Sequence, residues 1–86
     1  MSDVSNNLIK INLKHPIYIS GALANKITIR RPKVKDMINV DQSKQSDAQK
    51  EVNLFANLCE LTPENIMDLD MSDYAQLQKA YQDFLS

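Results

Sequence analysis

Two runs of alternating apolar and polar residues flank the only glycine of the chain, and this arrangement constrains the fold more than any other feature. Residues 8–14 read LIKINLK and residues 26–31 read KITIRR, each with isoleucine at alternate positions. Such a period is typical of strands that bury one face. Gly21 opens the intervening GALAN segment, so we expect the chain to reverse there through a loop of about five residues. The sequence therefore predicts a β-hairpin over residues 8–31, in which Pro16 interrupts the first strand.

The helical part of the chain begins after Pro32. Val34, Met37 and Ile38 recur at the spacing of one helix face, and proline favours the first turn of a helix. These residues predict a short helix, and a polar linker near residues 41–46 is expected to follow it.

Three further helical segments are indicated by capping residues followed by apolar stripes. Ser46 is a suitable N-cap for a helix over about residues 47–60, which we expect to be the most buried element. The Thr62-Pro63 pair starts a short helical turn, and Ser72 is expected to cap the last helix.

Together these patterns predict an α+β fold in a single domain of residues 1–86. The β-hairpin is followed, over residues 32–86, by a small bundle of about three to four short helices. The polar residues 1–7 are expected to form a flexible N-terminus.

Residue types that commonly serve in catalysis, metal binding or phosphate binding are scarce in this chain. It has one histidine, one cysteine and one glycine, too few for a metal site, a nucleophile–base pair or a glycine-rich phosphate loop. We expect His15 to be an edge residue and Cys59 to be a small core side chain. Asp68, Asp70 and Asp73 lack the glycine and glutamate of a calcium-binding loop, and we interpret them as solvated charges at helix ends. The sequence predicts no enzyme activity, no cofactor and no metal.

Solubility and redox compartment follow from what the sequence lacks. A single cysteine rules out an intramolecular disulfide, which fits a reducing cytosol. No apolar run approaches the ~20 residues that cross a bilayer, and the polar first residues do not form a secretory signal. We expect a soluble intracellular protein with no membrane partner.

Charge is divided unevenly along the chain. Residues 1–50 hold nine Lys and Arg against four Asp and Glu, a net charge of +5, whereas residues 51–86 hold one Lys against seven Asp and Glu, a net charge of −6. One interpretation is that the two halves are solvated faces of different sign. The other is an electrostatic match between copies, which predicts a homo-oligomer.

The positive charge is densest where the second strand meets the first helix. Five basic residues fall within ten positions: Lys26, Arg30, Arg31, Lys33 and Lys35. Nucleic-acid-binding faces usually combine basic residues with aromatic ones, and no aromatic residue lies among these five. We therefore expect a solvated strand edge and no nucleic-acid partner. The alternative, a small DNA-binding regulator that uses the basic strand, stays open on the residues alone.

The order of motifs along the chain carries a family resemblance. An L-x-x-P-I element leads to the glycine, then to I-T-I-R-x-P, a polar linker and L-C-E-L-T, and the chain ends in D-x-x-x-L-x-x-x-Y-x-x-F-L. This order, from about residue 8 to the terminus, resembles the small tail assembly chaperones of contractile-tailed, Mu-like phages and prophages. The family-motif residues with a structural role would be Pro16, Ile17, Gly21, Arg30 and Pro32.

The resemblance implies a non-enzymatic role in the cytoplasm of the infected host. Members of this family associate with the long tape measure protein, keep it soluble and help the tail tube polymerise around it, so the tail tube protein is a further possible partner. They are absent from the mature virion. Many are made in a short form and a frameshift-extended form, and this chain resembles the short form. The resemblance also makes Arg30-Arg31-Pro32 a strand-to-helix corner.

The last helix offers a face for such a partner. Its apolar residues recur at helical spacing: Tyr74, Leu77, Tyr81, Phe84 and Leu85. We expect these residues to contact the tape measure protein by the helix-in-groove mode. The alternative is that they form the intramolecular core, and both interpretations hold if one edge of the stripe is exposed.

Overall fold

A computed structural model describes residues 7–41 and 45–86 of the chain. Within them an antiparallel two-stranded hairpin is followed by four helices, which confirms the predicted α+β class. The elements are β1 (Leu8–Ile19), β2 (Ala22–Arg30), α1 (Val34–Asp41), α2 (Asp47–Cys59), α3 (Pro63–Met67) and α4 (Met71–Leu85). Residues 1–6 of the predicted flexible N-terminus and residues 42–44 of the predicted linker fall outside the described residues.

The hairpin turn is tighter than the sequence predicts. Ile19 pairs with Ala22, so the reversal takes place at Ser20 and Gly21 alone, and the expected loop of about five residues is wrong. Both turn residues have positive φ, 52° and 83°. Positive φ at both positions is the pattern of the turn whose twist matches paired strands. The rest of the GALAN segment therefore joins β2.

The predicted interruption at Pro16 is a bulge inside one continuous strand. The pairing register shifts between Asn12 and Ile17, so residues 13–16 leave the regular ladder. Proline has no N–H to donate to a neighbouring strand, which is why it is tolerated at such a position. The chain needs other partners for the N–H groups of this segment.

Asp73, in the first turn of α4, supplies those partners. Its carboxylate accepts the backbone N–H groups of Lys14 and His15 at 2.9 Å each, and the Gln76 amide at 2.9 Å. The Asp73 side chain is fully buried, so the prediction that it is a solvated charge is wrong. Burial by itself raises the pKa of this carboxyl, but the three hydrogen bonds together bring its pKa below the usual value. The start of the last helix is thus fixed to the bulge by an ionised carboxylate.

The core lies between one face of the hairpin and the helices packed on it. Phe55 of α2, Ile29 of β2 and Leu77 of α4 have no exposed surface. The buried apolar residues are Ile11, Leu13, Ile17, Ile27, Ile29, Phe55, Ala56, Leu58, Ile66, Leu69, Leu77, Ala80 and Phe84. The cluster contains apolar residues from the predicted strand alternation and from the predicted apolar stripe of α2.

Capping residues set the helix starts, with one correction to the prediction. Ser46 caps α2 as expected, and Thr62 caps α3 with a reciprocal capping box. The predicted cap of the last helix at Ser72 is wrong, because Asp70 accepts the N–H of Ser72 at 2.9 Å and the helix begins at Met71. A carboxylate competes well for this position, since it also interacts favourably with the helix dipole.

Candidate partner-binding surface

A partly buried salt bridge joins the end of the hairpin to the first helix. Arg30 donates two hydrogen bonds to Asp36, from Nη2 to Oδ1 at 2.8 Å and from Nη1 to Oδ2 at 3.0 Å. The Asp36 carboxylate also accepts the backbone N–H of Lys33 at 2.8 Å and the Asn57 amide at 3.0 Å. One side chain thereby ties β2, the first turn of α1 and α2 together.

The electrostatics of this corner keep both partners charged. Hydrogen bonding from Arg30 is the main cause that brings the pKa of Asp36 down to about 2, against the opposing effect of burial. In turn the hydrogen bond to Asp36 raises the pKa of Arg30. Bidentate arginine–carboxylate pairs fix orientation as well as distance. The corner therefore determines which side of α1 faces inward.

That orientation exposes the apolar face of α1. Asp36 is 1% exposed, whereas Val34, Met37 and Ile38 are 72%, 57% and 50% exposed. The helical spacing of these three residues predicted the helix correctly but did not indicate which side would be buried. A buried charged residue with four hydrogen bonds takes the inward position, so the apolar residues project outward.

A groove of about 260 Å³ lies beside this face, between α1, α2 and α4. Its apolar lining includes Met37, Leu54, Phe55 and Tyr81, and its charged lining includes Lys33, Lys50 and Glu51. Val34 and Ile38 share the helix face of Met37. We call the groove, with Met37, Leu54 and Tyr81 as its accessible apolar members, the α1 groove; Val34 and Ile38 lie farther round α1, on its exposed side.

A second apolar surface lies where α3 meets α4. Met67 and Met71 are 53% and 75% exposed and border a depression of about 120 Å³. The exposed carboxylates of Glu64, Asp68 and Asp70 surround them in the sequence. Residues 51–78 contain no lysine or arginine. We call these five residues the methionine corner.

A family comparison decides the class of protein to which these surfaces belong. A family model described as "Phage tail assembly chaperone proteins, E, or 41 or 14" matches residues 10–86. The chain belongs to this family of phage tail assembly chaperones. The match confirms the resemblance seen in the order of motifs. No curated protein and no solved structure matches the chain significantly.

Two of the predicted contact residues of this chaperone lie in its core. Leu77 is fully buried, and Phe84 is 7% exposed. The guanidinium of Arg31 lies 5.0 Å from the centre of the Phe84 ring, and its Nη1 donates to the Phe84 carbonyl at 3.1 Å. A partner that touched either apolar side chain would first have to displace this packing.

The other three predicted contact residues are accessible to different extents. Tyr74 and Tyr81 are partly buried on either side of Phe55, with ring centroids 5.5 and 5.6 Å from it. Leu85 is 58% exposed and follows Tyr81 by one helical turn on the same side of α4. Tyr81 therefore lines the α1 groove, Leu85 lies one turn farther along α4, and Tyr74 lines the depression at the methionine corner.

The basic stretch is divided between internal contacts and the surface. Arg30 and Arg31 bind groups of the chain itself, although Arg31 remains exposed, and Lys26, Lys33 and Lys35 are exposed as well. The arginines have the geometry of a strand-to-helix corner. The exposed lysines are what a DNA-binding function would have to use.

The remaining residues that could act in catalysis or metal binding do not form a common site among the described residues. His15 is exposed, and its Nε2 lies 3.9 Å from the Asp70 carboxylate. Burial raises the pKa of the Cys59 thiol to about 12, which disfavours a reactive thiolate. Within the described residues there is no group of His, Cys, Asp and Glu that could hold a metal ion. Nor does any described helix have the length and apolar character needed to cross a membrane.

Proposed function

We propose that this chaperone binds apolar helical segments of the phage tape measure protein and keeps them soluble while the tail tube assembles. The role requires no chemical step. It is carried out in the host cytoplasm by several copies that associate with one another, and the protein leaves before the virion is complete. The tail tube protein is a further partner in this proposal.

The observation that carries the proposal is the exposure of the apolar face of α1. A short helix that displays Val34, Met37 and Ile38 to solvent is costly unless another surface covers it, and such patches mark interaction sites. The partly buried Arg30–Asp36 pair holds the helix in this orientation. A preorganised surface binds more tightly because less freedom is lost on association.

The α1 groove suits an amphipathic helix. Its apolar lining lies between helices, and such a groove receives anchors spaced at i, i+3 or i+4, and i+7. Each large apolar side chain that becomes buried contributes roughly 1.5–3 kcal/mol, so a few anchors support micromolar binding after the cost of association. Lys33 and Lys50 at the groove favour client segments that carry acidic residues beside the apolar stripe.

Co-expression with the cognate tape measure protein tests this function. We expect the wild-type chaperone to raise the soluble fraction of the tape measure protein, and Met37→Asp to abolish that gain by placing a charge in the groove. Leu23→Asp is the matched control, because Leu23 is 60% exposed at the hairpin tip, away from the groove residues in the fold. The function is refuted if the wild type gives no gain. If Leu23→Asp fails as Met37→Asp does while both remain folded, the groove is the wrong site.

A further inference from the structure

Two residues of β2 direct their backbone hydrogen-bonding groups away from the hairpin. In an antiparallel pair, every second residue of a strand turns its N–H and C=O groups away from the partner strand. Arg31 donates its N–H to the Asn7 carbonyl at 2.9 Å, so these two residues form a hydrogen-bonded pair just beyond the ladder. By the register that follows, Lys26 and Thr28 direct both of their backbone groups to the outer edge of β2.

The last helix covers the corresponding edge of β1 at its bulge. By the same register Asn12 faces outward from β1, and its carbonyl accepts the Gln76 amide of α4 at 3.1 Å. Asp73 of the same helix accepts the N–H groups of Lys14 and His15, which come next along the strand. Side chains of α4 therefore satisfy this edge where the pairing with β2 is interrupted.

The edge of β2 has no such cover. Among the residues that the structure describes, none hydrogen-bonds the outward backbone groups of Lys26 or Thr28. A depression of about 200 Å³ lies against Thr28 and Arg30, and Leu58 and Cys59 of α2 also border it. A strand added to β2 would run about 4.8 Å from it, so the depression lies within reach of an apolar side chain of that strand.

We propose that the edge of β2 binds an extended, acidic segment of a second protein, which adds to the hairpin as a third strand. In this mode of recognition main-chain hydrogen bonds provide affinity, and pockets for side chains provide specificity. The edge and the α1 groove are lined by different residues. The inference therefore goes beyond the binding of a helical client and does not depend on it.

Charge favours an acidic segment at the end of the edge near Lys26. Residues 8–31 of the hairpin hold five Lys and Arg and no Asp or Glu. Lys26 and Lys10, on neighbouring strands, are exposed on the side of the hairpin that faces away from the core, and neither forms an ion pair with a described residue. An acidic residue of an added strand would lie across from Lys26, and opposite charges in this arrangement stabilise strand pairing.

The same charges disfavour a second copy of the chain as the added strand. Neither strand of another hairpin contains a carboxylate, so it would leave Lys26 without an opposite charge. At the other end of the edge the charges are mixed, because Glu60 borders the depression and Asp36 already pairs with Arg30. The segment that fits is thus acidic near Lys26 and neutral or apolar near Glu60.

Synthetic peptides added to the full chain test the proposal. Two peptides of about nine residues alternate valine with polar residues, which are glutamate in one half and threonine in the other. They differ only in which half is acidic, so one suits parallel and the other antiparallel pairing with β2. A third peptide carries lysine in place of glutamate. Nuclear magnetic resonance reports binding and the hydrogen exchange of each backbone amide.

Strand addition predicts protection of particular amides. We expect one of the two acidic peptides, at saturation, to slow the exchange of the Lys26 and Thr28 amides by about tenfold or more. The amides of Ile27 and Ile29 should change less, because they already bond to β1. The lysine peptide should bind about tenfold more weakly than the acidic one, since it places a like charge across from Lys26.

Charge reversal supplies a matched pair of variants. Lys26→Glu should bind the acidic peptide about tenfold more weakly than the wild type and should bind the lysine peptide in its place. Lys79→Glu is the control and should bind as the wild type does, because Lys79 lies on α4 beside β1, away from the edge of β2. Both lysines are exposed, so thermal unfolding is expected to match the wild type.

Several results would overturn the proposal. It fails if neither acidic peptide binds, if the lysine peptide binds equally well, or if Lys79→Glu weakens binding as much as Lys26→Glu does. Protection of the Lys10 amide in place of the Thr28 amide would assign the added strand to β1. Protection of the Thr28 amide that rises with protein concentration, without peptide, would identify a second copy as the occupant. Either result rejects the proposal, whereas a failure to solubilise the tape measure protein would reject only the proposed function.

Discussion

Arg30 and Asp36 form a two-bond salt bridge, at 2.8 and 3.0 Å, across the corner where the hairpin meets the first helix. Arg30 belongs to the basic stretch of residues 26–35, which would be the obvious place to look for nucleic-acid binding, and Asp36 directly follows that stretch. The pair instead turns α1 so that its only buried described side chain is a carboxylate and its apolar residues face solvent. The surface we assign to the client exists because of this contact.

Removing the charge of Asp36 is therefore expected to affect both stability and binding. Asp36→Asn leaves the Arg30 guanidinium partly buried without its counter-ion, and we expect a loss of about 2–4 kcal/mol in the free energy of unfolding. Urea denaturation measures it. Asp83→Asn is the control, because Asp83 is exposed and its pairing with Lys79 at 3.7 Å contributes little. Equal stabilities of the two variants would contradict the role assigned to this corner.

Acid should destabilise the protein through Asp36 and Asp73. Both carboxyls have folded-state pKa values below those of the unfolded chain, and the pKa of Asp36 is about 2. The two carboxylates therefore contribute to the free energy of unfolding above pH ~4, and this contribution is lost as the pH falls through their folded-state pKa values. For Asp36 this contribution is about 2 kcal/mol. Urea titrations between pH 7 and pH ~2 should show this loss, and Asp36→Asn should show a shallower one.

Asp73 should be essential to the bulge of β1. Its two oxygens accept the N–H groups of Lys14 and His15, and an asparagine would turn an amide donor toward one of them. We expect Asp73→Asn to lower the free energy of unfolding by about 2–3 kcal/mol. Asp70→Asn is the matched control, since asparagine caps helices as well as aspartate does. Thermal unfolding of the two variants compares them, and a larger loss at Asp70 would contradict this assignment.

The sequence predicted the order of the elements, the strand faces and the cap of α2 because these depend on local spacing. It did not predict the position of the hairpin turn, since strand pairing extended through most of the GALAN segment. The orientation of α1 and the role of Asp73 depend on contacts between distant residues. His15 and Asp73, for example, are 58 positions apart in the chain. A local pattern carries no signal for such a contact.

The prediction for the last helix was likewise right where it depended on local spacing and incomplete where it depended on distant contacts. Helical spacing placed Phe84 and Leu85 on one stripe, but the structure buries Phe84 under Arg31 and exposes Leu85. We expect Phe84→Ala to cost about 3–4 kcal/mol in the free energy of unfolding and Leu85→Ala less than ~1 kcal/mol. Denaturant titrations of both variants check these values.

The same two variants also distinguish core from contact residues. If Leu85 extends the α1 groove, Leu85→Ala should solubilise less tape measure protein while it remains as stable as the wild type. Undiminished solubilisation would remove Leu85 from the proposed surface.

Duplex DNA provides the test of the alternative function. With Arg30 and Arg31 bound internally, the exposed lysines are expected to give weak binding without sequence preference at physiological salt. A gel-shift comparison of many duplexes measures it. A preference for one sequence by more than about a hundredfold is the behaviour of specific binders, and it would favour a DNA-binding regulator over the proposed chaperone function.

Co-purification tests the central claim most directly. Tagged wild-type chaperone and tagged Met37→Asp are each co-expressed with the cognate tape measure protein, and the amount of tape measure protein retained per chaperone is measured. We predict clear retention by the wild type and at least a tenfold loss with Met37→Asp, the loss expected from about 1.4 kcal/mol of binding free energy. Equal retention by both proteins, or none by the wild type, would contradict binding through the α1 groove.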